Sequence, residues 1–273
     1  MPELIINTQS CTRCGLCAAE CPWELIGITE EGVPYLARGA TKRCIICGHC
    51  EAVCPTGALH LEDPRLAPTV SPQQPVAMEA ARLGAYMRMR RSIRRYREEP
   101  VERGTIEQIM DIVRYAPTGR NRQDVKWLMI HDTGEVRRLT EMAVDWMRET
   151  ANSGNPLAAR YNLPGMVKAW EEGRDTICLN APHLVFAHVN DEAPVARTNA
   201  VIALTHLDIV APVFGLGACW GGIFMQAVKS WEPLKTALDL PSGHSAVHCL
   251  MLGYPATSYQ RPPKRNPASM VWR

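Results

Sequence analysis

The chain has 273 residues, 46% of them hydrophobic and 21% charged, with a formal net charge of +2. That composition belongs to an ordinary globular protein with room for two domains and a sizeable core. It excludes a disordered chain, and bulk charge makes no argument for nucleic acid.

In chain order, residues 4–6 read as a short strand that enters a cysteine run. Cys11, Cys14, Cys17 and Cys21 are followed by Pro22, and Cys44, Cys47, Cys50 and Cys54 are followed by Pro55. Both runs are C-x2-C-x2-C-x3-C-P, and a shift of 33 positions carries each cysteine of the first onto the second. Three closely spaced thiolates let one tight loop cover three corners of a [4Fe–4S] cube, and the fourth must come from elsewhere. A zinc site closes with four ligands from paired C-x2-C units and fits this pattern poorly. Disulfides need an oxidising compartment, and residues 1–7 show neither a basic leader nor a long apolar run. Between the runs, residues 25–29 and 33–36 flank Glu30, Glu31 and Gly32, a hairpin signal. Residues 58–61 occupy the equivalent place after the second run.

Residues 1–63 resemble bacterial 2[4Fe–4S] ferredoxins. In that family the last cysteine of each run ligates the other cluster. The resemblance therefore assigns Cys11, Cys14, Cys17 and Cys54 to one cluster, and Cys44, Cys47, Cys50 and Cys21 to the second. So few residues make little core, and the clusters should act as staples. Residues 64–77, with Pro64, Pro68, Pro72 and Pro75, read as a Pro-rich linker and a domain boundary.

A second domain is expected over 78–273. Residues 79–90 should be helical. Thr105 and Gln108 read as the ends of a capping box before a helix with Ile106, Ile109, Met110 and Val113 on one face. Residues 125–131 form a strand, and 135–150 an amphipathic helix with Val136, Leu139, Met142, Ala143 and Trp146 on one side. Residues 152–173 look loop-rich, with Pro156 and Pro164. Residues 184–189 form an apolar strand. Residues 195–213 are apolar all round and should be the central core helix. The wider apolar stretch 200–220 contains His206, Asp208 and Pro212, so it is no membrane span. A short helix over 233–238, a strand over 247–252 and an irregular tail complete the chain. The fold class is α+β.

Four segments resemble the FMN-dependent nitroreductase family: 90–94 (Arg-Arg-Ser-Ile-Arg), 115–123, 215–222, and 252–255 followed by Arg261 and Arg265. Joined to the first domain, the chain looks like a ferredoxin–nitroreductase fusion. The resemblance implies an α/β sandwich, a central and mainly antiparallel sheet flanked by helices. It further implies a homodimer with FMN in the interface, built from both subunits. The family's flavin and phosphate contacts fall on Arg90, Arg91, Ser92 and Arg94, with Arg265, alone or with Lys264 or Arg261, as the C-terminal phosphate ligand. The chemistry agrees, because FMN carries a phosphate and arginine binds phosphate bidentately. A solvated basic face or a nucleic-acid patch are the other readings of the seven arginines between 82 and 97. Pro117, Thr118, Gly119 and Asn121 match the segment that meets the flavin of the other subunit; Gly119 also reads as a helix C-cap. Gly221 and Gly222 match the place where backbone N–H groups face the flavin edge, or are two glycines of a turn. Gly215 to Gly221 fails the dinucleotide fingerprint: the third glycine is one position late and no strand precedes it.

The function implied is a cytoplasmic flavin-dependent oxidoreductase with two [4Fe–4S] clusters and FMN. It would reduce an electron-poor small molecule such as a nitroaromatic, quinone or activated alkene. Its donor would be reduced ferredoxin, flavodoxin or NAD(P)H, and no general acid stands out. Rival readings are an electron carrier whose second domain docks a redox partner, a relative performing reductive dehalogenation, and a nucleic-acid-binding iron–sulfur protein. Cys178, Cys219 and Cys249 read as buried reduced thiols, and His183, His206, His244 and His248 as structural.

Overall fold

The computed structural model describes residues 2–66 and 77–273. The chain divides into two compact units, Met1–Ala77 with Arg120–Arg122, and Met78–Gly119 with Gln123–Arg273. Of the expected linker over 64–77, residues 67–76 lie outside the described residues.

The first unit contains β1 (Glu3–Ile6), α1 (Leu16–Ala19), β2 (Ile26–Ile28), β3 (Pro34–Leu36), α2 (His49–Ala52) and β4 (Leu59–Glu62). β1 pairs antiparallel with β4, and β2 with β3. The 33-residue repeat holds in the backbone as well as in the cysteines. Arg13 and Ile46 both have positive φ (57° and 53°), as do Gly15 and Gly48 (73° and 71°), and Glu24 and Gly57 (51° and 62°). Left-handed conformations cost an L-residue with a Cβ, so glycine at 15 and 48 removes strain where each loop turns into its short helix. The unit buries few apolar side chains, chiefly Leu25, Ile26, Ile46, Leu59 and Leu61.

The second unit contains α3 (Ala80–Met89), α4 (Arg103–Val113), β5 (Lys126–Ile130), α5 (Thr133–Asn152), α6 (Pro156–Tyr161), α7 (Leu163–Glu171), β6 (His183–Asn190), α8 (Ala196–Val210), β7 (Gly217–Trp220), α9 (Gly222–Ser230), α10 (Glu232–Ala237) and β8 (His244–Gly253). Its sheet has the order β5-β6-β8-β7, antiparallel throughout. The strand pleat sorts the core into two. Leu184 and Phe186 of β6 face a cluster with Leu139, Met147, Leu163 and Phe224, while Val185, Ala187 and Val189 face Ile109, Leu204 and Leu207. β8 should alternate in the same way. It does so with a change of parity: Ala246, Cys249 and Met251 lie on the first face, and Val247, Leu250 and Leu252 on the second. The register shift between Ala187 and His188 accounts for this, since Val247 is passed over in the pairing and the bulge turns the following side chains over.

Several expectations change. No capping box forms at Thr105: the helix starts two residues earlier, and its N-cap Glu102 makes no side-chain cap bond. Residues 152–173 hold two helices, α6 and α7, each with proline in its first turn. The prolines start helices there, where the missing N–H is no loss, and do not mark a loop. The stretch 195–213 is not buried all round: α8 turns Ala200, Leu204 and Leu207 inward and leaves Val201 exposed in the single chain. Pro212 opens a 3-10 turn (Ala211–Phe214), and β7 follows. The sequence reading missed β7 and α9, although Phe224, Ala227 and Val228 carry helical spacing and are buried.

Two histidines serve the fold. The His183 ring is buried, with Nε2 accepting from the Val101 N–H (2.8 Å) and Nδ1 donating to the His131 carbonyl (2.8 Å). Burial first, and then the stacked His131, push His183 down to about 4.

Candidate redox sites

In the first unit the cysteines do not group by run. One cavity is lined by Cys11, Cys14 and Cys17 together with Cys54, and by Ile6, Leu16 and Leu59. A second is lined by Cys44, Cys47 and Cys50 together with Cys21, and by Leu4, Trp23 and Leu25. Folding brings this about: β1 lies antiparallel beside β4, which sets the start of the first run near the end of the second, and β2 lies antiparallel beside β3, which sets the end of the first run near the start of the second. The two exchanged cysteines have equivalent surroundings. Cys21 Sγ accepts from the Leu25 N–H (3.4 Å) and Cys54 Sγ from the Ala58 N–H (3.2 Å), positions again related by the repeat. N–H donors favour the thiolate that an iron ligand must be. The Leu16 N–H holds the Cys14 thiol below its usual range, whereas burial pushes Cys50 up to about 11. A lone thiolate at Cys50 is therefore costly, and a cationic iron centre would offset that cost. Among the described residues no three His, Cys, Asp or Glu side chains meet closely enough to hold a single metal ion. The thiols ring each cavity, which fits a cluster better than a mononuclear centre.

In the second unit the segment after α3 runs beside β7. The Ile93 N–H donates to the Ala218 carbonyl (2.9 Å), the Arg97 N–H to Tyr254, and the Ala256 N–H to Arg95. Gly217 is needed for this approach, since a Cβ there would collide with Ile93. Arg90, Arg91 and Arg97 line a cleft of about 550 Å³ with Tyr86, Leu216 and residues 255–259. Burial raises the Cys219 thiol, and the nearby Arg94 charge and Ser92 side chain act in the opposite direction. Arg90 Nη1 reaches the buried carboxylate of Asp208 (3.2 and 3.4 Å), which also accepts from Trp220 Nε1 (3.2 Å).

The two glycines expected at the flavin edge differ. Gly221 is buried, and a Cβ there would lie 2.5 Å from Cys249 Sγ, so packing alone demands glycine. Gly222 opens α9, is exposed, and has nothing within 4 Å of its missing Cβ. A flat ring could rest on that bare backbone. Pro117, Thr118 and Gly119 sit in a loop pinned by side chains: Thr118 Oγ1 accepts from the Gln123 N–H and Asn199 Oδ1 from the Gly119 N–H (both 3.0 Å). Gly119 is not the C-cap, for α4 ends at Val113 with Arg114 as its cap. A Cβ at 119 would instead strike Val195. Asp124 Oδ1 accepts from Asn199 Nδ2 (2.9 Å), and its Oδ2 is buried with no partner among the described residues. Asn121 belongs to the first unit, where its amide donates to the Ile45 and Ile46 carbonyls (3.1 and 2.7 Å). Arg265 is exposed, and among the described residues it bonds only its neighbour's carbonyl.

Asp208, Asn199 and Trp220 went unnoticed as site residues. Asp208 had a signal, because a lone acid in an apolar helix needs a partner.

Residues 87–254 match the Nitroreductase family, more than half of the chain, and the chain belongs to that family. Residues 10–58 match the 4Fe-4S dicluster domain. The protein is thus an α+β fusion of a dicluster ferredoxin-type domain with a nitroreductase-family domain, the architecture of an oxidoreductase. It is 29% identical over 183 residues to the NADH dehydrogenase of Thermus thermophilus, spanning 61% of this chain and 83% of that protein. It is 24% identical over 174 residues to the iodotyrosine deiodinase of Thermotoga neapolitana, spanning 61% and 84%. Its fold is similar to that of a nitroreductase with bound FMN from Desulfitobacterium hafniense, with a TM-score of 0.56 at 18% identity over 71% of this chain and 100% of that one. Among the described residues no helix is long and apolar enough to cross a membrane.

Proposed function

We propose that this chain is an FMN-dependent oxidoreductase fed by two [4Fe–4S] clusters and acting on an electron-poor small molecule, a nitroaromatic, quinone or activated alkene. The observation that carries the reading is the pair of four-thiol cavities in one chain with a nitroreductase-family unit. Cys11, Cys14, Cys17 and Cys54 would hold one cluster, and Cys44, Cys47, Cys50 and Cys21 the other. Arg90, Arg91, Ser92 and Arg94 would hold the flavin and its phosphate, with Arg265 from the tail. Pro117, Thr118 and Gly119 would flank the ring, and Gly222 would leave it room. When bound, the clusters supply single electrons and FMN collects them in pairs. The chain's own work is to hold these groups, to favour the Cys14 and Cys54 thiolates through backbone N–H donors, and to supply positive charge to a phosphate. We assign domains to 1–63 and 78–273, a homodimer with FMN at its interface, a donor such as reduced ferredoxin, flavodoxin or NAD(P)H, and a reducing cytoplasm.

A second reading, reductive dehalogenation, draws on the likeness to the Thermotoga protein named for deiodination. One experiment addresses both. Full-length protein purified without oxygen is assayed for iron and flavin, then given a nitroaromatic or a halophenol with the same reduced donor. About eight irons and one flavin per chain, with turnover of the nitroaromatic, are expected, since two cubane clusters hold four irons each. Iron without flavin would leave an electron carrier, and faster halide release would favour the second reading.

A further inference from the structure

Asp208 projects from α8 into the interior, where the helix's other buried side chains are Ala196, Asn199, Ala200, Ala203, Leu204 and Leu207. A buried carboxylate is costly unless it is paired and hydrogen-bonded. Both partners of Asp208 come from other elements: Arg90 from the segment after α3, and Trp220 from the end of β7. The frame around them is tied on two sides. The Tyr86 hydroxyl donates to the Ile209 carbonyl next to Asp208, and the Ile93 N–H bonds β7. The Asp208 carboxylate engages only Nη1 of Arg90. Among the described residues Nε and Nη2 have no protein acceptor, and Arg90 lines the 550 Å³ cleft beside Arg91. A guanidinium presents five N–H donors in a rigid plane, so fixing one corner fixes the direction of the rest.

We propose that Asp208, steadied by Trp220, is a positioning residue that holds one corner of the Arg90 guanidinium so that its remaining donors face the cleft as an anion-binding edge. The proposal rests on reading the Arg90–Arg94 segment as the FMN cradle. It goes beyond that reading in naming a carboxylate that acts on the flavin only through an arginine.

The test is a double-mutant cycle on FMN retention. Full-length, cluster-loaded holoprotein is diluted, and released flavin is followed by its fluorescence to give a dissociation constant. Asp208→Asn keeps the shape and an acceptor for Trp220 but removes the charge. It should weaken FMN binding about tenfold, the scale of one hydrogen bond to a charged group. Arg90→Ala should weaken it at least as much, and adding Asp208→Asn to Arg90→Ala should change nothing further. A merely structural carboxylate gives equal factors in both backgrounds or no change at all, and either result overturns the proposal. Should Asp208→Asn fail to fold, Trp220→Phe decides the matter. It removes the indole donor along with part of the ring's volume, and its roughly threefold loss, a fraction of one hydrogen bond, should likewise vanish once Arg90 is alanine. Wild-type protein that retains no FMN refutes the cofactor reading itself. Wild-type retention with an indifferent Arg90→Ala refutes the positioning alone.

Discussion

The two units are held together by opposite means. The first buries seven apolar residues among its described positions, of which only Ile26 on β2 and Leu59 and Leu61 on β4 belong to strands. The second buries two clusters of 22 and 17 residues, one on each face of a four-stranded sheet. Charge differs as well. Residues 1–63 carry four basic and eight acidic side chains, and the rest of the chain 26 basic and 20 acidic. Residues 1–63, which carry the eight thiols, are thus net acidic, and the remainder of the chain, which carries the packed core, is net basic. Apolar area alone cannot stabilise so small a unit, and metal coordination has to do there what side-chain packing does in the second.

Stripping iron should break this comparison most visibly. Anaerobic chelation should unfold the first unit and leave the second unit's thermal transition in place. The loss should be on the order of 10 kcal/mol, the scale at which structural metals hold small modules together. Two calorimetric transitions, only one of them sensitive to iron, are expected; a first unit that melts cooperatively without iron would contradict it. Cys21→Ala sharpens the point, since it should remove the cluster ringed by Cys44, Cys47 and Cys50 and spare the one nearest in sequence. Electron paramagnetic resonance of the reduced variant distinguishes the two.

The converse change is Phe224→Ala, at a fully buried position on the sheet face that packs α9. Truncation of a buried aromatic costs about 3–5 kcal/mol. The second transition should fall, and the cluster absorbance should stay. If the cluster absorbance bleached with it, the two units would not be energetically separate.

Acid should also weaken the second unit through His183. Its pKa is about 4 when folded, against an ordinary 6.5. Above pH 6.5 the ring is neutral in both states and its contribution is fully present. As pH falls from about 6.5 through about 4 the unfolded chain takes up the proton first, and up to about 3 kcal/mol is lost. Denaturant midpoints measured across that range should slope downward toward acid, and His183→Gln should flatten the slope. An unchanged slope in the variant would place the acid sensitivity elsewhere.

The smallest expected effect is local. Arg91→Ala should weaken FMN retention by about 1.5–3 kcal/mol, the value of a hydrogen bond to a charged group, and leave both melting transitions unmoved. Retention equal to wild type would move the phosphate cradle away from this segment.

Much of this molecule was legible in order of contact range. The cysteine runs, the hairpin over β2 and β3, α3, α5 and most strand positions follow from local spacing, because turn chemistry and side-chain periodicity act within a few residues. Where local signals were ambiguous the reading erred. Pro156 and Pro164 look the same at a helix start as at a loop. The glycines at 221 and 222 hid the apolar spacing of α9.

By itself the sequence determined that eight thiols would form two equivalent loops, and that a core of aliphatic helices and strands would follow. Only the tertiary structure decided which side chains of β8 face which helices, because one bulge at Val247 reverses the pleat for every residue beyond it. It alone decided that Asp208 meets Arg90 across 118 positions of chain and that Asn121 turns its amide to the Ile45 and Ile46 carbonyls. Such contacts join residues far apart in sequence, and no local propensity encodes them. They exist because a buried charge or carbonyl takes the nearest donor that the packed chain brings to it.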